Sequence, residues 1–169
     1  MRIVINDANI LIDLAKLELL DVFSKLKFEL YTTDFVYEEL NQEQKSPVSM
    51  LNKNGHLTII ETEETIDFQN ITNLLDSSTG LSFEDCSVWY YSQKLSGTLL
   101  TGDGKLRKQV SKKGIEVRGI IYIFDELLEQ DLIDINIAIE KIEQLYHLNN
   151  RLPKKEIAKR IENWKKRLR

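Results

Sequence analysis

At 169 residues, 42% hydrophobic and 30% charged, with seven Gly and two Pro, the chain has the composition of one globular domain and too little Gly or Pro for a long disordered linker. A single cysteine, Cys86, excludes an internal disulfide and points to a reducing, cytoplasmic home, while one Cys and two His (His56 and His147) exclude a zinc site built from those residue types alone. No apolar run approaches the roughly 20 residues of a membrane span, and the net charge of −4 is unevenly shared: residues 151–169 carry nine Lys/Arg against two acids, the first 150 carry 14 against 25.

Short apolar runs alternate with helical patterns, which predicts an α/β fold whose central parallel sheet is covered by helices on both faces, a three-layer α/β/α arrangement. Arg2–Asn6 reads as the first strand, and Ile10, Leu11, Leu14, Leu17, Leu20, Phe23 and Leu26 predict one helix over 9–26. Phe28–Tyr31 is a second strand, and Thr33 is placed to cap a helix over 34–41. Residues 42–56, polar and holding Pro47 and Gly55, predict a loop with some helix. Leu57–Ile60 is a third strand, followed by a helix over about 64–76, a turn-rich segment to Gly80 and a helix from Leu81–Asp85 to about Leu95. Thr98–Thr101 is the fourth strand, Gly102-Asp103-Gly104 turns into a helix near Lys105, and Glu116–Arg118 is a weak fifth strand. Helices over about 120–130 and 135–148 complete a domain of residues 1–150.

Residues 151–169 form a basic amphipathic helix packed on that domain or extending from it, running from Pro153 to the C-terminus. Ile157, Ile161, Trp164 and Leu168 make its apolar stripe, and eight Lys or Arg, Arg169 among them, cover much of the rest. A docked helix with a solvated face accounts for this pattern, and so does an electrostatic grip on RNA phosphate or on an acidic partner.

In an open α/β sheet, ligands bind beyond the carboxyl ends of the strands. Asp7 directly follows the first strand, and Asp103 follows the fourth. Glu39 lies in the helix after the second strand, and Asp85 in the first turn of the helix before the fourth. Each has a plainer role available: Asp7 as a helix cap, Ser82 with Asp85 as a capping box, Asp103 as a turn residue, Glu38 and Glu39 as a solvated helix face. Together they form a constellation that needs a cation, because two carboxylates about 5 Å apart repel by roughly 1 to 3 kcal/mol. Hard oxygen ligands suit Mg²⁺ or Mn²⁺.

Four stretches resemble, in order, the motifs of PIN-domain ribonucleases of the VapC-like kind. They are Asp7-Ala8-Asn9 leading into an apolar helix, Glu39 before Leu40, Leu81-Ser82-Phe83-Glu84-Asp85-Cys86, and Leu99-Leu100-Thr101-Gly102-Asp103. Ala8 stands where a hydroxyl residue is frequent in that family. The resemblance spans residues 3 to about 120. It implies a metal-dependent endoribonuclease with Asp7, Glu39, Asp85 and Asp103 as catalytic residues and Asp7, Asp85 and Asp103 holding Mg²⁺ or Mn²⁺. Asn9 and Thr101 would orient those carboxylates. By position rather than resemblance, Lys105 and Arg107, just past Asp103, are placed to steer substrate phosphate, with solvated helix charges as the plainer role. The resemblance also implies an antitoxin partner and a homodimer. An RNA-processing nuclease without an antitoxin, or an inactive interaction module, are the alternatives. A phosphate-accepting receiver domain would need a second acid beside Asp7, where the chain has Asn6.

Overall fold

The computed structural model describes residues 1–168, so Arg169, counted above in the basic tail, lies outside the described residues. Five strands, β1 (Arg2–Asn6), β2 (Phe28–Thr33), β3 (Thr58–Ile60), β4 (Thr98–Leu100) and β5 (Val117–Arg118), pair throughout in parallel. Their order is β3-β2-β1-β4-β5. β1 is central because its β-branched run suits burial on both faces: Val4, Ile5 and Asn6 are wholly buried, with Val4 opposite Leu30 on one side and Thr98 on the other. The chain builds outward from β1 to β3 and then crosses to β4, so the gap between the carboxyl ends of β1 and β4 is the topological switch point.

Two groups of helices sandwich the sheet. On one side α3 (Asp34–Glu39), α5 (Thr65–Ser77) and α6 (Phe83–Lys94) pack together. On the other lie α1 (Ala8–Lys16), α2 (Leu20–Phe23), α4 (Gln42–Lys53), α8 (Ile120–Glu129) and α9 (Ile135–Leu148). α7 (Gly104–Ser111) leads from β4 to β5, and α10 (Lys154–Lys166) packs on α9. The expected α/β/α layering is therefore what the chain adopts. Among the described residues, no helix is long and apolar enough to cross a membrane.

Two segments differ from the sequence expectation. The helix expected over 9–26 is broken: α1 ends at Lys16, Glu18 takes φ 57°, and the short α2 follows. Apolar periodicity hides this break because Leu17, Leu20, Phe23 and Leu26 stay buried on both sides of it. Residues 42–53, expected largely as loop, form a helix that carries Pro47 in its interior. Its start is fixed by a reciprocal capping box between Asn41 and Gln44, and Val48 and Leu51 anchor it to the core.

α10 is held by its apolar stripe. Ile157 and Trp164 are buried, the Trp164 ring lies 6.0 Å from that of Phe124, and its indole N–H donates to Asp125 at 3.1 Å. Arg160 pairs with the same carboxylate.

Candidate active site

Asp7 ends β1 and opens α1. Its backbone N–H donates to the Leu100 carbonyl at 2.9 Å, continuing the β1–β4 ladder into the crevice, and the residue is only 3% exposed. Oδ1 accepts the Ala8 N–H at 2.8 Å, so the cap uses backbone and needs no hydroxyl at position 8. Oδ2 accepts the Thr101 hydroxyl at 2.7 Å and the Asn9 amide at 3.4 Å. Asn9 Oδ1 in turn accepts the Gly102 N–H at 2.9 Å, and Thr101 Oγ1 accepts the Asp103 N–H at 3.0 Å. Residues 7–9 and 101–103 are thus laced together through the side chains of Asn9 and Thr101.

Asp103 caps α7, its Oδ1 accepting from Leu106 N–H at 3.0 Å. Asp85 closes the capping box of α6: its Oδ2 accepts the Ser82 N–H at 2.9 Å while Ser82 Oγ accepts the Asp85 N–H at 3.0 Å. Each of these two carboxylates keeps its second oxygen without a protein donor among the described residues. The capping roles and the site roles therefore coexist, because a carboxylate has two oxygens and a cap occupies one.

Glu39 sits at the end of α3. Its neighbour Glu38 turns away and pairs with Lys45 at 3.1 Å, whereas Glu39 feels the charges of Glu84, Asp7 and Asp85. The start of α3 is tied to α6 by a 2.8 Å hydrogen bond between the buried hydroxyls of Thr33 and Ser87, and Ser87 Oγ also donates to the Glu84 carbonyl at 2.6 Å. Glu84, Thr33 and Ser87 thus belong to the site's construction although no motif pointed to them. The acidic pair Glu84-Asp85 at the start of a helix was the available signal.

The electrostatics follow from this crowding. Burial, opposed by the Thr101 and Ala8 hydrogen bonds and aided by the charges of Asp85 and Asp103, pushes Asp7 up to about 6. Partial burial and then the charges of Glu84, Asp7 and Asp85 push Glu39 up to about 7. Glu39 as a whole is exposed, so the repulsion is the part of its shift that a bound cation would reverse. Asp85 is also raised, by burial first and by Asp103 and Glu84 after it, against its bonds to Ser82.

The donors are all hard oxygens, and their mutual repulsion is what a divalent cation relieves, so the residues suit Mg²⁺ or Mn²⁺ in kind. Among the described residues, no three His, Cys, Asp or Glu side chains stand so that they could hold one ion as they are. Ligation therefore asks side chains to turn, and the free oxygens of Asp85 and Asp103 are the ones able to do so without uncapping a helix.

The two cations after Asp103 point differently. Lys105 Nζ lies beside Gly80, 3.6 Å from where a Cβ would stand, in the loop before α6. Arg107 lies over Gly119, whose Cβ would stand 3.0 Å from the guanidinium, and it lines a cleft of about 550 Å³ that adjoins Asp103.

A parallel sheet in this order, with carboxylates gathered at its switch point, defines a doubly wound α/β domain with an acidic site. A family model described as a PIN domain matches residues 3–166, and the chain belongs to that family. Comparison with curated protein sequences finds no match. Among solved structures, VapBC-1 from nontypeable Haemophilus influenzae aligns with TM-score 0.50 and 17% identity, covering 70% of this chain and 98% of that one. VapBC2 from Rickettsia felis, bound to a DNA fragment from its promoter, aligns with TM-score 0.47 and 14% identity, covering 69% and 98%. The first of these likenesses is one of fold.

Proposed function

We propose that this PIN domain is an endoribonuclease that hydrolyses RNA phosphodiester bonds with Mg²⁺ or Mn²⁺, and that it is the toxin of a type II toxin–antitoxin pair. The observation that carries the nuclease reading is that Asp7, Glu39, Asp85 and Asp103, from four separate segments, lie close enough for Asp85 and Asp103 to raise the proton affinity of Asp7, for Asp7 and Asp85 to raise that of Glu39, and for Asp103 to raise that of Asp85. Structural helix caps have no reason to converge on one crevice. A catalytic cation does give them one.

Asp7, Asp85 and Asp103 are the proposed metal ligands, with Glu39 completing the catalytic set. When bound, the cation supplies activation of water and neutralisation of phosphate charge. The protein's part is positional. Thr101 and Asn9 fix both the Asp7 carboxylate and the Gly102-Asp103 backbone, so a change at either residue displaces two ligands at once. Glu39, at the end of α3 and under the charge of Glu84, can take up a proton near neutral pH, as its raised value permits. The antitoxin partner and a homodimer rest on the family resemblance.

The decisive experiment is incubation of purified protein with mixed RNA in Mg²⁺, Mn²⁺ or EDTA, beside Asp7→Asn and Asp103→Asn. Cutting that requires the metal and is lost in both variants is the expected result. An inert wild type that binds no Mn²⁺ would overturn the enzyme reading in favour of an interaction module. Growth arrest on expression, relieved by a co-expressed small neighbouring reading frame, tests the antitoxin. Arrest without such relief leaves an RNA-processing nuclease.

A further inference from the structure

The cleft beside Asp103 shares Asn9, Thr101 and Asp103 with the acidic site and extends beyond it. Gly119 and Ile120, at the start of α8, also line it, as do Asn149 and Arg151 in the link between α9 and α10. At about 550 Å³ it falls within the range of roughly 300–1,000 Å³ typical of small-ligand clefts.

Four arginines line it, in two different situations. Arg118 pairs with Glu116 at 3.0 Å, and Arg160 pairs with Asp125 and with Glu156 at 3.3 Å. Arg107 and Arg151 have no carboxylate within 4.0 Å among the described residues. Two unpaired guanidiniums thus face a cavity whose remaining cations are already neutralised. The acids lining it are Asp103, Glu156 (taken by Arg160) and Asp13, a partly buried carboxylate on α1 that Asn149 bonds and Arg151 influences from a distance.

We propose that this cleft is the subsite for one unpaired nucleotide of the RNA strand next to the bond that is cut, its phosphate held by Arg107 and Arg151. The proposal rests on the nuclease reading. A strand whose scissile phosphate lies at Asp7 and Asp103 has its next phosphate a few ångströms on, and Asp103 is the residue shared by the acidic site and the cleft. Planar guanidiniums match phosphate oxygens in pairs. Gly119 leaves the space that the Arg107 guanidinium occupies beside the β5–α8 turn. A cleft of this volume has room for one base that has left its stack. Arg151 and Asn149 come from the link into α10, which gives the C-terminal helix a role in choosing RNA without touching the cut bond.

The test uses the full chain, a short 5′-fluorescein single-stranded RNA and a KCl series in EDTA, read by anisotropy, with cleavage in Mn²⁺ run in parallel. Arg107→Ala and Arg151→Ala should each weaken binding about tenfold and lower the slope of log Kd against log salt by about 0.7. Lys112→Ala, on the exposed end of α7 outside the cleft, should change neither. Arg151→Lys should keep the salt slope while losing part of the affinity, which separates charge from folding. Wild-type affinity and slope in both alanine variants would overturn the subsite, and if wild type still cuts RNA the nuclease reading survives. Loss of binding in both variants with an inert wild type would leave the subsite standing and the nuclease reading failed. Capture of a polyglutamate peptide that depends on Arg151, with RNA binding unaffected, would replace RNA by an acidic protein.

Discussion

Asp7 owes its raised proton affinity to burial, opposed by the Thr101 and Ala8 hydrogen bonds and aided by the charges of Asp85 and Asp103, and the result has a measurable sign. Folded-state values of about 6 for Asp7 and about 7 for Glu39 lie above the ordinary 3.8 and 4.5. The folded protein therefore holds more protons than the unfolded chain between those limits, and stability fully present below about pH 4 is lost as the pH rises through 6 and 7. In EDTA, the unfolding temperature should fall between pH 5 and pH 8, and Asp7→Asn should flatten that fall. Mg²⁺ or Mn²⁺ should restore stability more at pH 8 than at pH 5, because binding requires the ionised carboxylates. A wild-type curve that is flat in EDTA would contradict the crowding. Thr101→Val removes the hydroxyl shared by Asp7 and Asp103 and should lower RNA cleavage or Mn²⁺ affinity by about 10- to 100-fold, measured by initial rates and titration. At this scale the sequence was informative where residue type and neighbours agreed. Asp7, Asn9, Thr101 and Asp103 sit in one hydrogen-bonded lattice at the ends of two strands that could be read from apolar runs. Ser87 was silent, Thr33 was legible only as a helix cap and Glu84 only as the neighbour of Asp85, because their part in the site arises when α3 meets α6.

Elements carry their own weak points. Gly97, just before β4, lies against β1: a Cβ there would stand 2.7 Å from Ile5 Cδ1, 2.9 Å from Ile3 Cγ2 and 3.1 Å from the Ile3 carbonyl oxygen. The last of these is backbone and cannot step aside. Gly97→Ala should cost about 1–3 kcal/mol, seen as a lower urea midpoint, and should weaken the β1–β4 seam that the site straddles. Trp164→Ala removes the buried anchor of α10 along with the indole bond to Asp125 and should cost about 3–5 kcal/mol by the same measurement. A change below 1 kcal/mol would mean that α10 is not fastened as described. Both features explain what the sequence showed of the elements and what it hid. The stripe Ile157, Ile161, Trp164 and Leu168 foretold a helix with one apolar face, but Leu168 lies exposed past the end of α10, and α4 was obscured by Pro47 and by having only Val48 and Leu51 to bury. The break at Glu18 was invisible because burial continues across it.

At the scale of the molecule, alternation of apolar runs with helical segments was enough to call a parallel sheet, but strand order was not written in any one segment. It follows from handedness and packing once the whole chain is present. The site inherits this dependence. Residues 7–9 come from the first strand–helix junction and 101–103 from the fourth, joined by the bonds of Asp7 to Leu100 and of Asn9 to Gly102. Metal ligation should therefore slow unfolding and leave the refolding rate nearly unchanged in stopped-flow fluorescence, since the ligands meet only after the long-range β1–β4 pairing has formed. The same pairing has a meaning during synthesis. A chain emerging N-terminus first has Asp7 and Glu39 in solution long before Asp103 leaves the exit tunnel, and α3 can cap itself without creating a complete site. Under the nuclease reading proposed above, no nascent chain carries a complete acidic site until β4 has paired beside β1.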